Sequence, residues 1–419
     1  MNKKKIEIAY NIARDIYAEH GIDTDQVIVE LGNIELTHNC WQGDDLTGFE
    51  NNSALITGSV TGKVYPGKAR NGQELRNDIS KAFSLIPARN KINLLATYRE
   101  SPGGYVDRDE IDISHFQCWL EWALENHFGI DFNPMCLNHV YFDGFSLSNP
   151  NDYKRRFWIN HIKQCRRIAA DIGKSLDRAC VNNIWIPDGM KEVPANRLKF
   201  RSLLKDSLDE IFSEKYSNDV MLDAVESKLF GPGLESYTVG SHEFYLSYAI
   251  RNNLVLTYNT AHFHPTESIA DKVSSTLLFI DKLLIHISRG VRWDSDHIPI
   301  LTDDLIEVMK EIKRCNAFDR VSLSMDFFDP TKNRIAGWVA GGRAVLKAVL
   351  IAMLEPVFEE QDYENRWLGT SSFVMAEEAK SLPWQAVWNM YCTLHQVPIS
   401  NDWLNDILNY EYDILSKRT

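Results

Sequence analysis

Residues 283–289 read LLIHISR, a short apolar run with one imidazole near its end. Similar runs recur along the chain and predict β-strands. The eight runs are IELTHNC (34–40), KINLLATY (91–98), GIDFNPMC (129–136), CVNNIWI (180–186), MLDAVESKLF (221–230), NLVLTYN (253–259), LLIHISR (283–289) and VSLSMDFF (321–328). Helix-like segments such as SHFQCWLEWALENHFG lie between them. Strands that alternate with helices pair in parallel through right-handed crossovers, and eight of them close an α/β fold of the (β/α)8 TIM-barrel type.

A doubly wound open sheet is the alternative arrangement for alternating strands and helices. Such a sheet normally carries a glycine-rich phosphate loop after its first strand. The nearest match, Gly231-Pro-Gly233, lacks the third glycine, and its proline removes a backbone donor. The sequence therefore favours the barrel.

The two ends of the chain are predicted to be helical. The first 21 residues, MNKKKIEIAYNIARDIYAEHG, have charged residues throughout and predict an amphipathic helix rather than a signal peptide. After about residue 331 helical segments follow one another without strands. We therefore predict a barrel with its N-terminal helix over residues 1–330. Residues 331–419 would form a C-terminal helical extension that packs on the barrel and on neighbouring subunits.

Composition excludes several classes of partner. A net charge of −13 over 419 residues argues against nucleic acid, because affinity for phosphate backbones comes from Lys and Arg. The apolar segment AVLKAVLIAMLEPVF carries Lys347 and stops near Pro356, too short to span a bilayer. Seven scattered cysteines without a C-x-x-C pair indicate a reducing compartment. We expect a cytoplasmic protein that acts on a small molecule.

Polar side chains lie at or just past the C-terminal ends of the predicted strands, where barrel enzymes build their sites. They are Glu226, Lys228, Asn259, His262, His286, Asp294, Asp296 and Asp326. Residues two apart in a strand share a face, so Glu226 and Lys228 would both point into the barrel. Each residue alone fits a helix cap, an ion pair or a core histidine. Burying so many charges together is costly, however, and a divalent cation is the simplest compensator.

The residue types limit the metal and the chemistry. Carboxylates and imidazoles without a thiolate suit Mn²⁺ or Mg²⁺, with Co²⁺ as a substitute, and leave a histidine–carboxylate zinc site open. No H-E-x-x-H or G-x-S-x-G motif is present. Metal-assisted hydrolysis and aldose–ketose isomerisation both remain. Aromatic residues at strand ends, Trp41, Trp185 and Phe132, favour a sugar, although plain core filling explains them equally well.

Several longer stretches together resemble the L-rhamnose isomerase family over essentially the whole chain. They are HNCWQGDDLTGFEN, YPGKARN, DFNPMC, NNIWIPDGMK, DAVESKLFG, ESYTVGS, AHFHPTE, VRWDSDH and SLPWQAVW. The resemblance implies a (β/α)8 barrel and a homotetramer. It also implies two Mn²⁺ sites, at which Co²⁺, Mg²⁺ or Zn²⁺ can substitute. The reaction it implies interconverts L-rhamnose and L-rhamnulose by a metal-mediated hydride shift, in L-rhamnose catabolism.

The same resemblance implies roles for individual residues. The catalytic metal would be held by His262, Asp294 and Asp296. The second, structural metal would be held by Glu226, Asn259, His286 and Asp326. Lys228 would contact the substrate near its reacting carbons and act in catalysis with Asp294 and His262. The sugar-binding residues would be Trp41, Trp185, Phe132 and Phe49, the last of these lent to a neighbouring subunit.

Two residues depart from the family pattern. Asn259-Thr-Ala-His262 stands where the family usually has Asp-x-x-His, and Leu95 in KINLLATY stands where family members have histidine. An asparagine brings no negative charge to a metal, and a leucine cannot donate a hydrogen bond to a sugar. A catalytically weakened metal- and sugar-binding homologue is therefore the alternative function. A metallohydrolase acting on phosphodiesters is less favoured because the chain is acidic.

Overall fold

A computed structural model of the protein describes residues 2–50, 64–100, 103–229, 233–291 and 295–418. Within these ranges eight parallel strands close into a barrel, and the last strand pairs with the first to complete the ring. The strands are β1 (Glu35–Asn39), β2 (Arg89–Leu95), β3 (Gly129–Asn133), β4 (Cys180–Trp185), β6 (Met221–Glu226), β8 (Val255–Asn259), β9 (Leu283–Ile287) and β10 (Val321–Met325). Two short strands, β5 (Gly189–Met190) and β7 (Tyr237–Thr238), pair antiparallel outside the barrel. The predicted α/β barrel is confirmed.

Each of the eight predicted runs overlaps one barrel strand, and most runs extend beyond its C-terminal end; β2 begins at Arg89, two residues before its predicted run. In the run 321–328 the strand ends at Met325, and in the run 283–289 the strand ends at Ile287. The residues beyond these points leave the sheet and bond across the rim. The Asp326 amide donates to the Ile287 carbonyl at 2.9 Å, and the Phe328 amide donates to the Asp296 carbonyl at 2.9 Å. The polar ends of the runs therefore build the barrel mouth.

Helices surround the barrel and extend the chain at both ends. The α-helices of the described residues are α1 (Lys3–Glu19), α2 (Thr24–Gly32), α3 (Gly72–Phe83), α4 (Gln117–Asn126), α5 (Asp152–Leu176), α6 (Arg197–Ile211), α7 (His242–Asn252), α8 (Ile269–Leu277), α9 (Asp303–Arg314), α10 (Arg334–Met353), α11 (Val357–Asn365), α12 (Gly369–Ala379), α13 (Trp384–Leu394) and α14 (Trp403–Asp413). Short 3₁₀ turns span Cys40–Gln42, Ala96–Tyr98, Ile113–Phe116 and Leu415–Lys417. The amphipathic helix predicted at the N-terminus is α1. The division into 1–330 and 331–419 stays a prediction.

Helix α9 illustrates how local sequence sets these helices. The Thr302 hydroxyl caps its N-terminus by accepting the Leu305 amide, two aspartates follow in the first turn, and two basic residues occupy the last turn. Leu305, Val308, Met309 and Ile312 are buried. Their 3–4 residue spacing places them on one face, which packs toward α8 and α10.

Helix α10 is the one described helix long and apolar enough to cross a membrane by length and composition. However, 78% of its most apolar window is buried inside the protein. It packs against α3, α9 and β1. The apolar composition of α10 therefore reflects burial inside the protein, because a helix that contacts neighbours on most of its sides is apolar on most of its sides.

The inward faces of the strands alternate with faces that meet the helices. Glu226 on β6 contacts His286 on β9, and these two strands are not neighbours, so both side chains point inward. Leu222 and Ala224 share that face of β6. They form an apolar cluster with Val181, Val255 and Leu284. We refer to this cluster as the barrel floor, and it lies beneath the polar strand ends.

Candidate active site

The ends of β6, β9 and β10 bring three side chains with metal-ligating atoms together. One ligand atom from each of Glu226, His286 and Asp326 lies within 4.8 Å of the others. His286 Nδ1 is 3.1 Å from Glu226 Oε2 and 3.6 Å from Asp326 Oδ2. Within the described ranges Nε2 of His286 makes no hydrogen bond, and Nδ1 faces the carboxylates of Glu226 and Asp326. We refer to these three residues as the triad.

Burial and charge act in opposite directions on the triad. Burial alone would lower the pKa of His286, but the negative charges of Glu226 and Asp326 outweigh it and raise that pKa. Burial alone would raise the pKa of Glu226, but His286 and His262 lower it. The two carboxylates therefore require positive charge in a buried place, which either a proton on His286 or a cation supplies.

The donor set of the triad fits a divalent cation. It offers two carboxylates and one imidazole and no thiolate, the combination suited to Mn²⁺ or Mg²⁺ rather than to a cysteine-based zinc site. The His286 Nε2 atom, which is buried and has no hydrogen bond within the described ranges, is also consistent with a ligand role, because buried polar atoms are nearly always paired.

Two asparagine amides converge on Glu226. Asn183 Nδ2 donates to Glu226 Oε2 at 2.6 Å, and Asn259 Nδ2 donates to Glu226 Oε1 at 3.2 Å. Asn259 Nδ2 also donates to Asp326 Oδ2 at 2.7 Å. The Asn259 oxygen accepts the Ala261 amide at 2.9 Å. The structure thus turns the nitrogen of Asn259 toward the triad, whereas the predicted metal ligation needs its oxygen there.

His262 lies next to the triad with one fixed tautomer. Its Nδ1 is 2.8 Å from the Ser227 carbonyl and 3.4 Å from Glu226 Oε1. A carbonyl can only accept, so Nδ1 carries the proton in this bond and the lone pair of the neutral ring is on Nε2. Metal-ligating histidines are commonly oriented in this way by a carbonyl. The geometry therefore suits the predicted role of His262.

Lys228 lies two residues beyond β6 at the same mouth. Its Nζ is 5.7 Å from the centre of the Trp185 ring, and Trp185 pairs with Glu226 across β4 and β6. A cavity of about 410 Å³ opens here, with Lys228, His262, Tyr237 and Phe263 in its wall. Two predicted residues, Lys228 and His262, thus line a space large enough for a monosaccharide, and Trp185 lies beside Lys228.

The loop after β9 carries the predicted Asp294–Asp296 pair. Asp296 is half-buried, has a left-handed backbone with φ of 43°, and accepts the Phe328 amide with its carbonyl. Asp294 lies outside the described residues. The second predicted metal site, which needs both, stays a prediction.

Of the remaining predicted aromatic residues, two lie at the rim of the barrel and one lies in the hydrophobic core outside it. Trp41 follows β1 and is buried at the rim, and Phe49 packs edge-on against Tyr98 at 5.3 Å. Phe132 differs from the prediction. Its fully buried ring packs against Phe116 in the helical layer at 5.0 Å, because its strand neighbour Asp131 takes the inward face. The structure does not bring Phe132 to the triad.

Sequence reasoning missed Asn183 and Asp188. Asn183 is one of two consecutive asparagines in CVNNIWI, and only the strand register reveals that it faces Glu226. Asp188 is fully buried and accepts four hydrogen bonds, from the amide and hydroxyl of Ser146 and of Ser148, at 2.6 to 2.9 Å. It holds the loop after β3 beside the loop after β4. An aspartate following an apolar strand was the only available signal.

Comparisons with known proteins give matches over nearly the whole chain. The family profile described as L-rhamnose isomerase (RhaA) matches residues 4–418. A protein of Bacteroides thetaiotaomicron named L-rhamnose isomerase is 46% identical over 418 residues, with 99% of each chain covered. Its counterpart from Salmonella typhi is 48% identical with the same coverage. Among solved structures, an L-ribulose 3-epimerase matches with a TM-score of 0.45 and 9% identity, over 83% of this chain and 97% of that one. With the profile and these relatives spanning nearly the whole chain, the protein belongs to the L-rhamnose isomerase family.

Proposed function

We propose that the protein interconverts L-rhamnose and L-rhamnulose as an aldose–ketose isomerase of L-rhamnose catabolism. The observation that carries the proposal is the triad at the barrel mouth, in a chain that belongs to this family throughout its length. The names of the relatives favour the isomerase over the weakened binding homologue.

The proposed metal is Mn²⁺ at two sites, with Co²⁺, Mg²⁺ or Zn²⁺ as substitutes. Glu226, His286 and Asp326 would hold one ion, and His262, Asp294 and Asp296 the other. When bound, a divalent cation polarises a carbonyl oxygen and orients neighbouring hydroxyl oxygens. The charge balance of the triad supports the first site, and the tautomer of His262 supports the second.

The chain's own residues would position the sugar. The Lys228 ammonium would donate a hydrogen bond to a substrate oxygen beside the reacting carbons. The Trp185 ring, which lies under that ammonium, would pack against the apolar C–H face of the sugar. Leu95, buried at the end of β2, shares the inward face of Lys91 and would add an apolar wall. Hydrogen would pass between the two carbons as a hydride shift.

A homotetramer in the cytoplasm completes the proposal. Its support is the apolar surface of α11 and α12 and the turn between them. There Phe358, Trp367 and Phe373 are 88%, 94% and 71% exposed. Monomeric soluble proteins rarely leave such a group uncovered. Light scattering on purified protein tests the assembly, and a monomeric mass would refute it.

The decisive experiment measures L-rhamnulose formed from L-rhamnose by metal-stripped protein with and without Mn²⁺. We expect ketose only with Mn²⁺. His262→Ala and Asp294→Ala should abolish it, while the matched variant at the exposed neighbour, His264→Ala, retains it. Binding of L-rhamnose by folded, manganese-loaded protein without any ketose would favour the weakened homologue.

A further inference from the structure

The side-chain amide of Asn259 has an orientation set by its surroundings. Its Oδ1 is 2.9 Å from the Ala261 amide and 3.3 Å from the Ser288 hydroxyl. A backbone N–H can only donate, so the atom facing Ala261 is the oxygen. The NH₂ group must then face the other way.

On that other side the NH₂ group meets two carboxylates. Asn259 Nδ2 lies 2.7 Å from Asp326 Oδ2 and 3.2 Å from Glu226 Oε1. Reversing the amide would set its oxygen against both carboxylates and its NH₂ against the Ala261 N–H. All these contacts would then be repulsive or unpaired, which is costly in a buried place.

Asn183 repeats the arrangement on the opposite oxygen of Glu226. Its Oδ1 accepts the Thr257 hydroxyl at 2.7 Å, and its Nδ2 donates to Glu226 Oε2 at 2.6 Å. Both oxygens of Glu226 therefore receive an asparagine N–H, and each amide is fixed by a neutral donor behind it. A carboxylate oxygen has two lone pairs, so each still has one to offer a cation.

We propose that Asn259 is a hydrogen-bond donor that positions Glu226 and Asp326, and not a ligand of the cation. The inference rests on the proposed metal site. It makes that site a three-residue one, from Glu226, His286 and Asp326, with two negative charges. The other positions on the ion are left to solvent or sugar oxygens.

Manganese titration of metal-free protein by calorimetry tests the proposal. We expect Asn259→Ala to weaken Mn²⁺ binding about 10- to 100-fold, because the carboxylates of Glu226 and Asp326 lose the donor that positions them. Asn259→Asp should bind Mn²⁺ about tenfold more tightly or better, since it adds a carboxylate. It should also melt at a lower temperature without metal, because three carboxylates then face one another. Ser288→Ala, which removes only the weaker donor to Oδ1, is the control and should match the parent.

An Mn²⁺ dissociation constant of folded Asn259→Ala within about threefold of the parent would overturn the proposal, because a donor that positions two ligands should not be removable without cost. Because the loss of a ligand would weaken binding as well, a crystal of the parent protein soaked in Mn²⁺ decides between donor and ligand, whether or not that variant folds. Oδ1 still on the Ala261 N–H is expected, and Oδ1 turned onto the ion would overturn the proposal. A parent protein that binds no Mn²⁺ would overturn it together with the metal site. Mn²⁺ binding without L-rhamnulose formation would refute only the proposed function.

Discussion

Outside the triad, the buried carboxylate of Glu50 gives the clearest test of how a charge contributes to the stability of the fold. It ends the described part of the loop that follows β1, and its side chain is only 7% exposed. Its carboxylate accepts Arg99 Nη1 at 2.6 Å and Arg108 Nη2 at 2.7 Å. Arg108 continues to the carbonyls of Met135 and Leu137 in the loop after β3. Glu50 therefore ties three rim loops together through two buried guanidinium groups.

The pKa of Glu50 gives the size of the effect. Burial alone would raise it, but the hydrogen bonds and charges of Arg108 and Arg99 lower it from 4.5 to about 2. At about 1.4 kcal/mol per pH unit, the charged form contributes about 3 kcal/mol to folding. Glu50→Gln keeps the shape and one acceptor but removes the charge, so we expect a loss of about that size. Breaking one side of a buried ion pair typically costs about 3–5 kcal/mol.

Thermal unfolding measures this loss. The unfolding entropy of a chain of 419 residues is about 0.9 kcal/mol/K, so Glu50→Gln should melt about 3 °C below the parent at pH 7. The folded pKa lies below the unfolded one. The contribution is therefore complete above pH 4.5 and is lost as the pH falls toward 2, where the two melting temperatures should converge. Glu377→Gln, from an exposed pair with Lys380, is the control and should change little. A difference under 1 °C at pH 7, or one that does not vary with pH, would refute the reasoning.

Three further outcomes are expected. Lys228→Met should lower kcat about 10²- to 10³-fold in Mn²⁺-loaded protein with an unchanged circular dichroism spectrum, because the proposed donor to the reacting oxygens would be lost. Lys380→Met, from an exposed pair with Glu377, should not lower it. Asp188→Asn should lower the free energy of unfolding in urea by about 2–4 kcal/mol, because the new NH₂ group would face two donors, such as the amide and hydroxyl of Ser148. The control Asp152→Asn, at an exposed position, should stay near the parent. Mn²⁺ at about a hundred times its Kd should raise the melting temperature by about 3 °C, and an unchanged value would contradict the metal site.

The sequence was sufficient for the barrel and for the triad. The apolar runs have strand length and are separated by helical segments, so both their number and their parallel pairing could be predicted. Glu226, His286 and Asp326 stand out because each is a charged or ionisable residue in or directly after such a run. Their proximity follows from topology alone, since the carboxyl ends of all barrel strands meet at one mouth.

What the sequence could not provide is the inward or outward direction of single side chains. Phe132 and Asp131 are neighbours, and either could face the interior until the Thr37–Asp131 hydrogen bond across the barrel fixes the register. Asn183 and Thr257 are 74 residues apart, and their contact depends on the pairing of two strands with β6. The orientation of the Asn259 amide depends on one backbone N–H. Each of these details follows from packing that no local pattern records.

Two buried carboxylates inside the barrel differ in the charge of their hydrogen-bond partners. This difference distinguishes a metal ligand from a carboxylate with a structural role. On β3, Asp131 lies 2.7 Å from the ammonium of Lys91, which cancels its charge. On β6, Glu226 is above the apolar floor, where charges interact strongly, and its asparagine neighbours are neutral. Neutral amides satisfy a carboxylate oxygen without cancelling its charge, so the positive charge that Glu226 requires is left to a proton on His286 or to a cation. A lysine at either asparagine would complete the hydrogen bonds equally well and would remove the reason for a metal to bind.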